Sequence, residues 1–386
     1  MSERLDAQTR SVRAGLETDA EHGAVVPPIY LSSTFTFAGL NERRKYDYSR
    51  SGNPTRDALA AALADLECGA GAAITATGMA AVSLGVALAR PGERILAPHD
   101  CYGGTYRLLS ALKRTGRAEV DFIDMTDPVA IEAGLAARPR IVWIETPSNP
   151  LLRITDIAAV SAAAHAVGSL VVVDNTFMSP GWQQPITLGA DVVVHSTTKY
   201  INGHSDVVGG AVIARDEGLH EELAWWANCM GITGSAFDSF LTLRGLRTLH
   251  VRLRQHGENA LAVTDLLAGH AAVSTVHYPG LAGHPGHALA ARQQTGFGAI
   301  VTFELAGGLP AVARFLDGLE CFSLAESLGG VESLVAHPDT MTHAAMDPAA
   351  RVTAGITPGL LRLSVGIEAT RDLLADLRAG LERAAG

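Results

Sequence analysis

Short runs of aliphatic and β-branched residues alternate with longer Ala- and Leu-rich stretches through the middle of the chain. Apolar runs of four or five residues predict buried strands, and stretches with apolar residues every three or four positions predict helices. The predicted strands are Arg94 to Ala97, Val120 to Ile123, Ile141 to Glu145, Leu170 to Asp174, Val192 to His195 and Gly210 to Ile213. The predicted helices lie at 54–67, 78–90, 104–115, 127–137 and 154–167. This alternation is typical of an α/β fold whose mainly parallel central sheet is covered by helices on both faces.

The pattern changes at both ends of the chain. Residues 1–55 show little periodicity but many turn-forming and hydroxyl residues, which predicts an extended arm held against another surface, such as a neighbouring subunit. Interrupted helical periodicity from Leu219 to Arg254 leads into a smaller α/β pattern, with a helix at 258–268 and strands at 273–277, 299–305 and 361–364. We therefore expect three parts, which are an arm over 1–60, a large domain over 61–256 and a small C-terminal domain over 257–386.

Composition narrows the class of function. The chain has 386 residues, 47% of them hydrophobic, which is enough to bury a sizeable core and excludes a disordered protein. A net charge of −10 argues against binding to nucleic acid or to anionic membranes. The four cysteines lie far apart and form no C-x-x-C pair, so no disulfide framework or metal site is predicted. We expect a cytoplasmic protein that acts on small molecules.

Lysine occurs at only three positions, and Lys199 follows a predicted strand. The apolar run before it ends at His195, and the hydroxyls of Ser196 and Thr198 stand between the strand and the lysine. An amine in an apolar setting loses its proton more readily and becomes a nucleophile, and the hydroxyls could bind a phosphate. A surface lysine at a strand end is the alternative, and this segment alone leaves both open.

Asp174 ends another apolar run, and residues 69–81 predict a short strand, a tight turn and a helix start. The carboxyl ends of parallel strands border the ligand crevice, so Asp174 could pair with a pyridinium nitrogen, or it could cap a turn. Backbone N–H groups at the helix start could hold a phosphate. The spacing is not G-x-G-x-x-G and no P-loop motif occurs, which disfavours a dinucleotide or a nucleoside triphosphate.

Other candidates favour structural roles. His284 and His287 lie in a Pro/Gly loop without a nearby carboxylate, which argues against a metal site. A nucleophilic thiol is not expected at Cys101. The pair Trp225 and Trp226 stands in a helical pattern and is predicted to pack.

Several segments together resemble the pyridoxal-phosphate enzymes of cysteine and methionine metabolism over nearly the whole chain. They read YSRSGNPTR at 48–56, ETPSNP at 145–150, DNTF at 174–177, STTKY at 196–200 and GHSD at 203–206. The segments at 98–104, 224–228 and 325–333 are most similar to the bacterial members that form cystathionine. The resemblance implies an aminotransferase-like fold, known as fold type I, with pyridoxal 5'-phosphate bound in the large domain. It also implies a homotetramer built from two dimers.

The resemblance further implies how the cofactor is held. Lys199 would form the covalent link to pyridoxal phosphate and move protons with help from Tyr102, which would also stack on the ring. Asp174 would pair with the ring nitrogen. The phosphate would be held by groups from two subunits, namely Gly78, Met79, Ser196 and Thr198 of one and Tyr48 and Arg50 of its neighbour.

Substrate contacts are implied in the same way. Arg362 would bind the α-carboxylate of the substrate, a task suited to a guanidinium, with Asn149 and Ser327 assisting. Glu326 would face the amino group of the cysteine portion. Asp47 and Arg107 are further candidates for lining the substrate pocket.

The implied reaction is replacement of the γ-acyl group of O-succinyl-homoserine, or of O-acetyl-homoserine, by cysteine. Gly104 departs from methionine γ-lyases, which have a cysteine near this position. Ser51 stands where some bacterial relatives have a second arginine, which leaves the acyl donor open. The alternatives are γ-cleavage of cystathionine, sulfhydrylation of an acylhomoserine, and a metabolite-binding protein without catalytic activity.

Overall fold

The computed structural model describes residues 5–344 and 346–386. Residues 1–4 of the predicted arm lie outside the described residues. The strands are β1 (Gly71–Thr75), β2 (Arg94–Pro98), β3 (Glu119–Ile123), β4 (Ile141–Glu145), β5 (Leu170–Asp174), β6 (Val192–His195), β7 (Gly210–Ala214), β8 (Val273–His277), β9 (Ile300–Leu305), β10 (Ser323–Leu324), β11 (Leu334–Ala336) and β12 (Leu360–Ser364).

The first seven helices lie mostly between the strands of the first half of the chain. They are α1 (Ala7–Arg13), α2 (Pro54–Glu67), α3 (Gly78–Val86), α4 (Gly103–Arg114), α5 (Pro128–Ala136), α6 (Ile157–Ala166) and α7 (Ser179–Trp182). The other helices are α8 (Glu217–Met230), α9 (Ala236–Leu246), α10 (Leu249–Ala268), α11 (His287–Gln293), α12 (Gly308–Leu316), α13 (Pro348–Ala354) and α14 (Thr370–Ala385). A 3₁₀ helix spans Pro185–Leu188.

A seven-stranded sheet with the order β1-β7-β6-β5-β4-β2-β3 forms the larger part of the fold. Strands β2 to β6 pair in parallel, whereas β7 runs antiparallel to both β6 and β1. The predicted, mainly parallel α/β sheet is therefore confirmed. The exception at β7 has a simple cause, because no helix crosses back over the sheet between β6 and β7, and parallel pairing needs such a crossover.

Helices cover both faces of this sheet. On one face, Trp143 and Val172 of the central strands pack against Leu84 of α3. On the other face, Val173 packs with Val160 of α6. Because both faces are buried, the central strands are continuous apolar runs rather than alternating ones.

A second sheet has five strands in the order β10-β11-β12-β9-β8 and is mainly antiparallel. The very short strands β10 and β11 are not among the predicted elements, because two or three residues show no periodicity. The interrupted helical pattern before this sheet is resolved into α8, α9 and α10. Helix α10 runs through the predicted boundary at 256/257, so the division into domains stays a prediction.

Within the described ranges, 5–344 and 346–386, no helix is long and apolar enough to cross a membrane.

Candidate active site

A cavity of about 410 Å³ lies where the carboxyl ends of β4, β5 and β6 meet the loop between β10 and β11 and the strand β12. It brings together eleven of the predicted site residues from widely separated segments. They are Gly78, Met79, Tyr102, Asn149, Asp174, Ser196, Thr198, Lys199, Glu326, Ser327 and Arg362. The sheet ends therefore supply one side of the cavity, and the second sheet supplies the other.

Lys199 lies in the turn that follows β6, with its amine inside the cavity. Its Nζ donates a 2.7 Å hydrogen bond to Oγ of Ser327. Burial, together with the positive charge of Arg362, lowers the pKa of Lys199 from 10.5 to about 8, and the carboxylate of Glu326 opposes this change. The amine therefore loses its proton more easily than an exposed lysine does, as a nucleophile or a proton carrier requires.

Two buried acids end neighbouring parallel strands. Glu145 of β4 and Asp174 of β5 are paired in register, and both side chains line the cavity. Burial raises the pKa of Asp174, whereas hydrogen bonds from Thr176 and the positive charge of His195 lower it. Burial and the neighbouring Asp174 raise the pKa of Glu145 well above its usual range. A cationic nitrogen placed against Asp174 would relieve the cost of burying its negative charge.

The start of α3 faces the hydroxyl of Ser196. A side chain on Gly78 would place its Cβ 2.7 Å from Oγ of Ser196, so the backbone approaches this serine as only glycine allows. The N-cap Thr77 accepts a hydrogen bond from the N–H of Ala80, and Gly78 and Met79, whose N–H groups have no partner within the helix, line the cavity. A helix start beside hydroxyls suits a phosphate group.

Arg362 is a buried cation on β12, and only 3% of its surface is exposed. Its Nη1 donates to Oδ1 of Asn149 and its Nη2 donates to the backbone oxygen of Ser327, each at 2.9 Å. Its Nε has no hydrogen-bond partner among the residues that the structure describes. A charged donor that is held in place and still lacks a partner fits a carboxylate ligand.

Tyr102 lies at the mouth of the cavity with its ring partly exposed. Its backbone N–H donates to Oε2 of Glu145 at 2.8 Å, which fixes the start of α4 against the end of β4. Burial raises the pKa of the phenol, and the charge of Arg107 lowers it. Arg107 itself is not among the residues that line the cavity, although its charge reaches Tyr102.

Three predicted residues of the arm lie apart from this cavity. Asp47 forms an ion pair with Arg43 and accepts a hydrogen bond from Ser51. Tyr48 and Arg50 are neighbours, with the guanidinium 5.9 Å from the centre of the ring. All three predicted residues border surface depressions near the arm. The cavity of one chain is therefore formed without them.

The groups in the cavity fit pyridoxal phosphate. They offer a helix start with hydroxyls for a phosphate, a buried carboxylate for a ring nitrogen and an amine with a lowered pKa. The sequence interpretation missed several lining residues, namely Glu145, Pro147, Thr176, Phe177, Val208 and Thr342. Glu145 could have been found, because it follows an apolar run just as Asp174 does.

Comparison with known proteins gives full-length matches. Residues 8–382 match the family described as Cys/Met metabolism PLP-dependent enzyme. The chain is 55% identical over 377 residues to cystathionine gamma-synthase of Escherichia coli (strain K12), and this match covers 97% of the chain and 98% of that protein.

Solved structures are similar over the same extent. Cystathionine gamma synthase from Xanthomonas oryzae pv. oryzae, in complex with cystathionine, has a TM-score of 0.98 and 61% identity, with 99% of each chain covered. Cystathionine gamma-lyase from Lactobacillus plantarum, complexed with L-serine, has a TM-score of 0.95 and 40% identity, covering 99% of this chain and 100% of that one. Proteins named as synthases and as lyases thus share this architecture.

Proposed function

Since the chain belongs to the family of Cys/Met metabolism PLP-dependent enzymes, as its motifs predicted, we propose that it acts as a cystathionine γ-synthase. In this reaction the thiolate of L-cysteine replaces the γ-acyloxy group of an O-acylhomoserine, the succinyl or the acetyl ester, which yields cystathionine and releases succinate or acetate. The cofactor is pyridoxal phosphate. The observation that carries this proposal is the 61% identity, over 99% of the chain, to a synthase solved with cystathionine.

Pyridoxal phosphate, when bound, supplies an electron-withdrawing ring that stabilises negative charge at the α-carbon of an amino acid attached to it. In this proposal Lys199 would hold the cofactor covalently, and Asp174 would keep the ring nitrogen protonated. Tyr102 would stack on the ring. The phosphate would be held by the backbone of Gly78 and Met79 and by the hydroxyls of Ser196 and Thr198.

Arg362 binds the α-carboxylate of the homoserine ester and so orients the α-hydrogen toward Nζ of Lys199. Two hydrogen bonds, to Asn149 and to the backbone of Ser327, hold the guanidinium in place for this task. Once free, the lysine amine would take the α-proton, pass it on to the bound substrate and cofactor, and, neutral again, take a β-proton, because a long flexible side chain reaches both positions. Its pKa of about 8 lets it accept and return protons near neutral pH.

Glu326 and Arg362 give the two substrates different places in the cavity. Both line it, and they carry opposite charges. The carboxylate of Glu326 attracts the ammonium group of cysteine, whereas Arg362 attracts the carboxylate of the ester. Cysteine therefore approaches from the side of Glu326, where its thiolate can reach the γ-carbon.

A product assay tests this function. The holoenzyme is incubated with O-succinyl-homoserine and with O-acetyl-homoserine, each with and without cysteine, and cystathionine and 2-oxobutanoate are quantified. Rapid formation of cystathionine that depends on cysteine supports the proposal. The ester that reacts faster then identifies the class of acyl donor. Slow turnover of both esters would refute it.

Cleavage of cystathionine is the second candidate. It is favoured by the 40% identity to a γ-lyase over 99% of the chain, because synthesis and cleavage use the same acid, base and binding groups. The same assay distinguishes them when cystathionine is the only substrate. Rapid release of cysteine and 2-oxobutanoate, with little use of the esters, would identify a lyase.

We further propose that two subunits complete each active site within a homotetramer. Tyr48 and Arg50 are exposed, Asp47 is half-buried, and all three lie apart from their own cavity, which suits residues that serve a neighbouring chain. Mixing inactive Arg50→Ala and Lys199→Ala proteins tests this, because hybrid dimers contain one site in which both residues are intact. Recovery of part of the wild-type activity supports sharing, and no recovery argues for complete sites within single chains.

We also propose that the protein works in the cytoplasm. All four cysteines are unpaired thiols, which is usual in a reducing compartment.

Arg107 is a further candidate for lining the substrate pocket, since its charge already acts on Tyr102.

A further inference from the structure

Three polar side chains that no catalytic role explains are completely buried behind the ends of β5 and β6. Glu67 is the last residue of α2, His195 is the last residue of β6, and Asn175 directly follows β5; none of the three is exposed. Nε2 of His195 lies 2.6 Å from Oε1 of Glu67. Nδ2 of Asn175 donates to the same carboxylate oxygen at 2.8 Å. We refer to Glu67 and His195 as the Glu67–His195 pair, which Asn175 supports through its hydrogen bond to Glu67.

These three residues are connected through the backbone to residues that line the cavity. Asn175 follows Asp174, and its N–H donates to the backbone oxygen of Val194 at 3.0 Å. His195 precedes Ser196, whose side chain lines the cavity. The side chains of successive residues at the end of a strand point to opposite faces of the sheet. His195 and Asn175 therefore point away from the cavity, directly behind Asp174 and Ser196, which face it.

Stability alone does not account for such an arrangement. An acid and a base that are both removed from water lose hydration, and their attraction often fails to offset that loss. Oε2 of Glu67 and Nδ1 of His195 also have no hydrogen-bond partner among the described residues. A packed apolar cluster would satisfy this position better. What the geometry does show is that the pair lies directly behind the end of β5, which carries Asp174, and His195 also lowers the pKa of Asp174 against the larger effect of burial.

We propose that Glu67 and His195 are positioning residues of the cofactor site, in which Glu67 holds the imidazole of His195 behind Asp174, where it supports the Asp174 carboxylate in its place toward the ring nitrogen. This inference rests on the role proposed above for Asp174. Glu67 acts through His195, and His195 acts through Asp174, so neither needs to touch the cofactor.

The test measures the dissociation constant of pyridoxal phosphate and the absorption maximum of the bound cofactor in Glu67→Gln, His195→Gln and the double variant. Gln keeps the shape of Glu67 and can still accept hydrogen bonds, but it carries no charge. Each single variant should weaken cofactor binding by about tenfold, as expected for the loss of one buried hydrogen bond that holds the site in place. The double variant should be no weaker than either single one, because both substitutions break the same Glu67–His195 contact.

His165→Gln is the matched control. His165 also contacts a buried acid, since its Nε2 lies 2.9 Å from Oδ2 of Asp191, but this acid is at the opposite end of β6. The thermal unfolding temperature of each cofactor-free protein reports any loss of packing. We expect the loss of cofactor affinity in the Glu67 and His195 variants to exceed what any fall in this temperature explains. The control should bind the cofactor with wild-type affinity and give the wild-type absorption maximum.

Asp174→Asn fixes the direction of the spectral change. The Glu67 and His195 variants should move the absorption maximum in the same direction as Asp174→Asn does. If they lower the unfolding temperature but leave affinity and spectrum unchanged while Asp174→Asn changes both, the pair is only structural and this inference is wrong. Additive losses in the double variant would also overturn it. If Asp174→Asn itself changes neither quantity, the proposed role of Asp174 fails, and the inference fails with it.

Discussion

Replacing Arg362 by lysine keeps the positive charge, but we expect it to lower kcat/KM for the homoserine ester strongly. The guanidinium uses two N–H groups to bind Asn149 and the backbone of Ser327, and its Nε stays free for a ligand. A lysine ammonium is a single point and cannot keep both bonds while donating twice to a carboxylate. One or two charge-assisted hydrogen bonds are lost, worth about 2–4 kcal/mol together. This energy corresponds to a fall of roughly 30- to 1000-fold in kcat/KM for the homoserine ester.

The assay is cystathionine formation at varied ester concentration and saturating cysteine. Arg371→Lys is the matched control, because the Arg371 side chain is 88% exposed and lies outside the cavity. Thermal unfolding of both variants without cofactor separates a binding defect from a folding defect. A fall of less than about threefold in kcat/KM for Arg362→Lys would refute the view that a forked donor binds the substrate carboxylate.

Three further outcomes are expected. Gly78→Ala would place a Cβ 2.7 Å from Oγ of Ser196 and should weaken pyridoxal phosphate binding at least about tenfold in a fluorescence titration, whereas Gly283→Ala, whose Cβ meets nothing within 4 Å, should bind normally. Burial lowers the pKa of Lys199 to about 8, so the cofactor-free protein loses this proton as the pH rises through about 8. Labelling by an amine-reactive ester, followed by peptide mass spectrometry, should increase over that range, and constant labelling would contradict the assigned pKa. Ser327→Ala removes the acceptor of the 2.7 Å hydrogen bond from Lys199 and should lower kcat about three- to tenfold; an unchanged kcat would mean that this bond does not orient the amine.

The residues at the ends of apolar strands were predictable from the sequence, because their chemistry is local. Asp174 and Lys199 each follow a continuous apolar run, and in a parallel sheet such positions meet at one edge. Glu145 shows the same local pattern, but its hydrogen bond joins it to Tyr102, which is 43 residues away. Such a contact depends on how the strand and the helix pack, and a single sequence does not record it.

Arg362 shows where local pattern fails altogether. On an alternating strand it looks like an exposed residue, and only the family resemblance pointed to it. It is buried because β12 lies between β11 and β9, and the segments at Asn149 and Ser327 contact its side chain. Strand β11 has only three residues and is too short to be predicted, so the central position of β12 could not be anticipated either.

The two sheets divide the cavity between the groups that act on the cofactor and those that select the amino acid. Asp174 ends a strand of the first sheet and Lys199 follows another, whereas Glu326 and Ser327 lie in the loop between two strands of the second sheet and Arg362 lies on its strand β12. Lys199 and its partner Ser327 are separated by 128 positions along the chain. Selection can therefore alter substrate preference through a few changes in the later segment while the earlier one stays intact. This separation gives a physical reason why synthases and lyases can diverge within one architecture, and why directed evolution of new specificities should begin with libraries in the segment around Glu326.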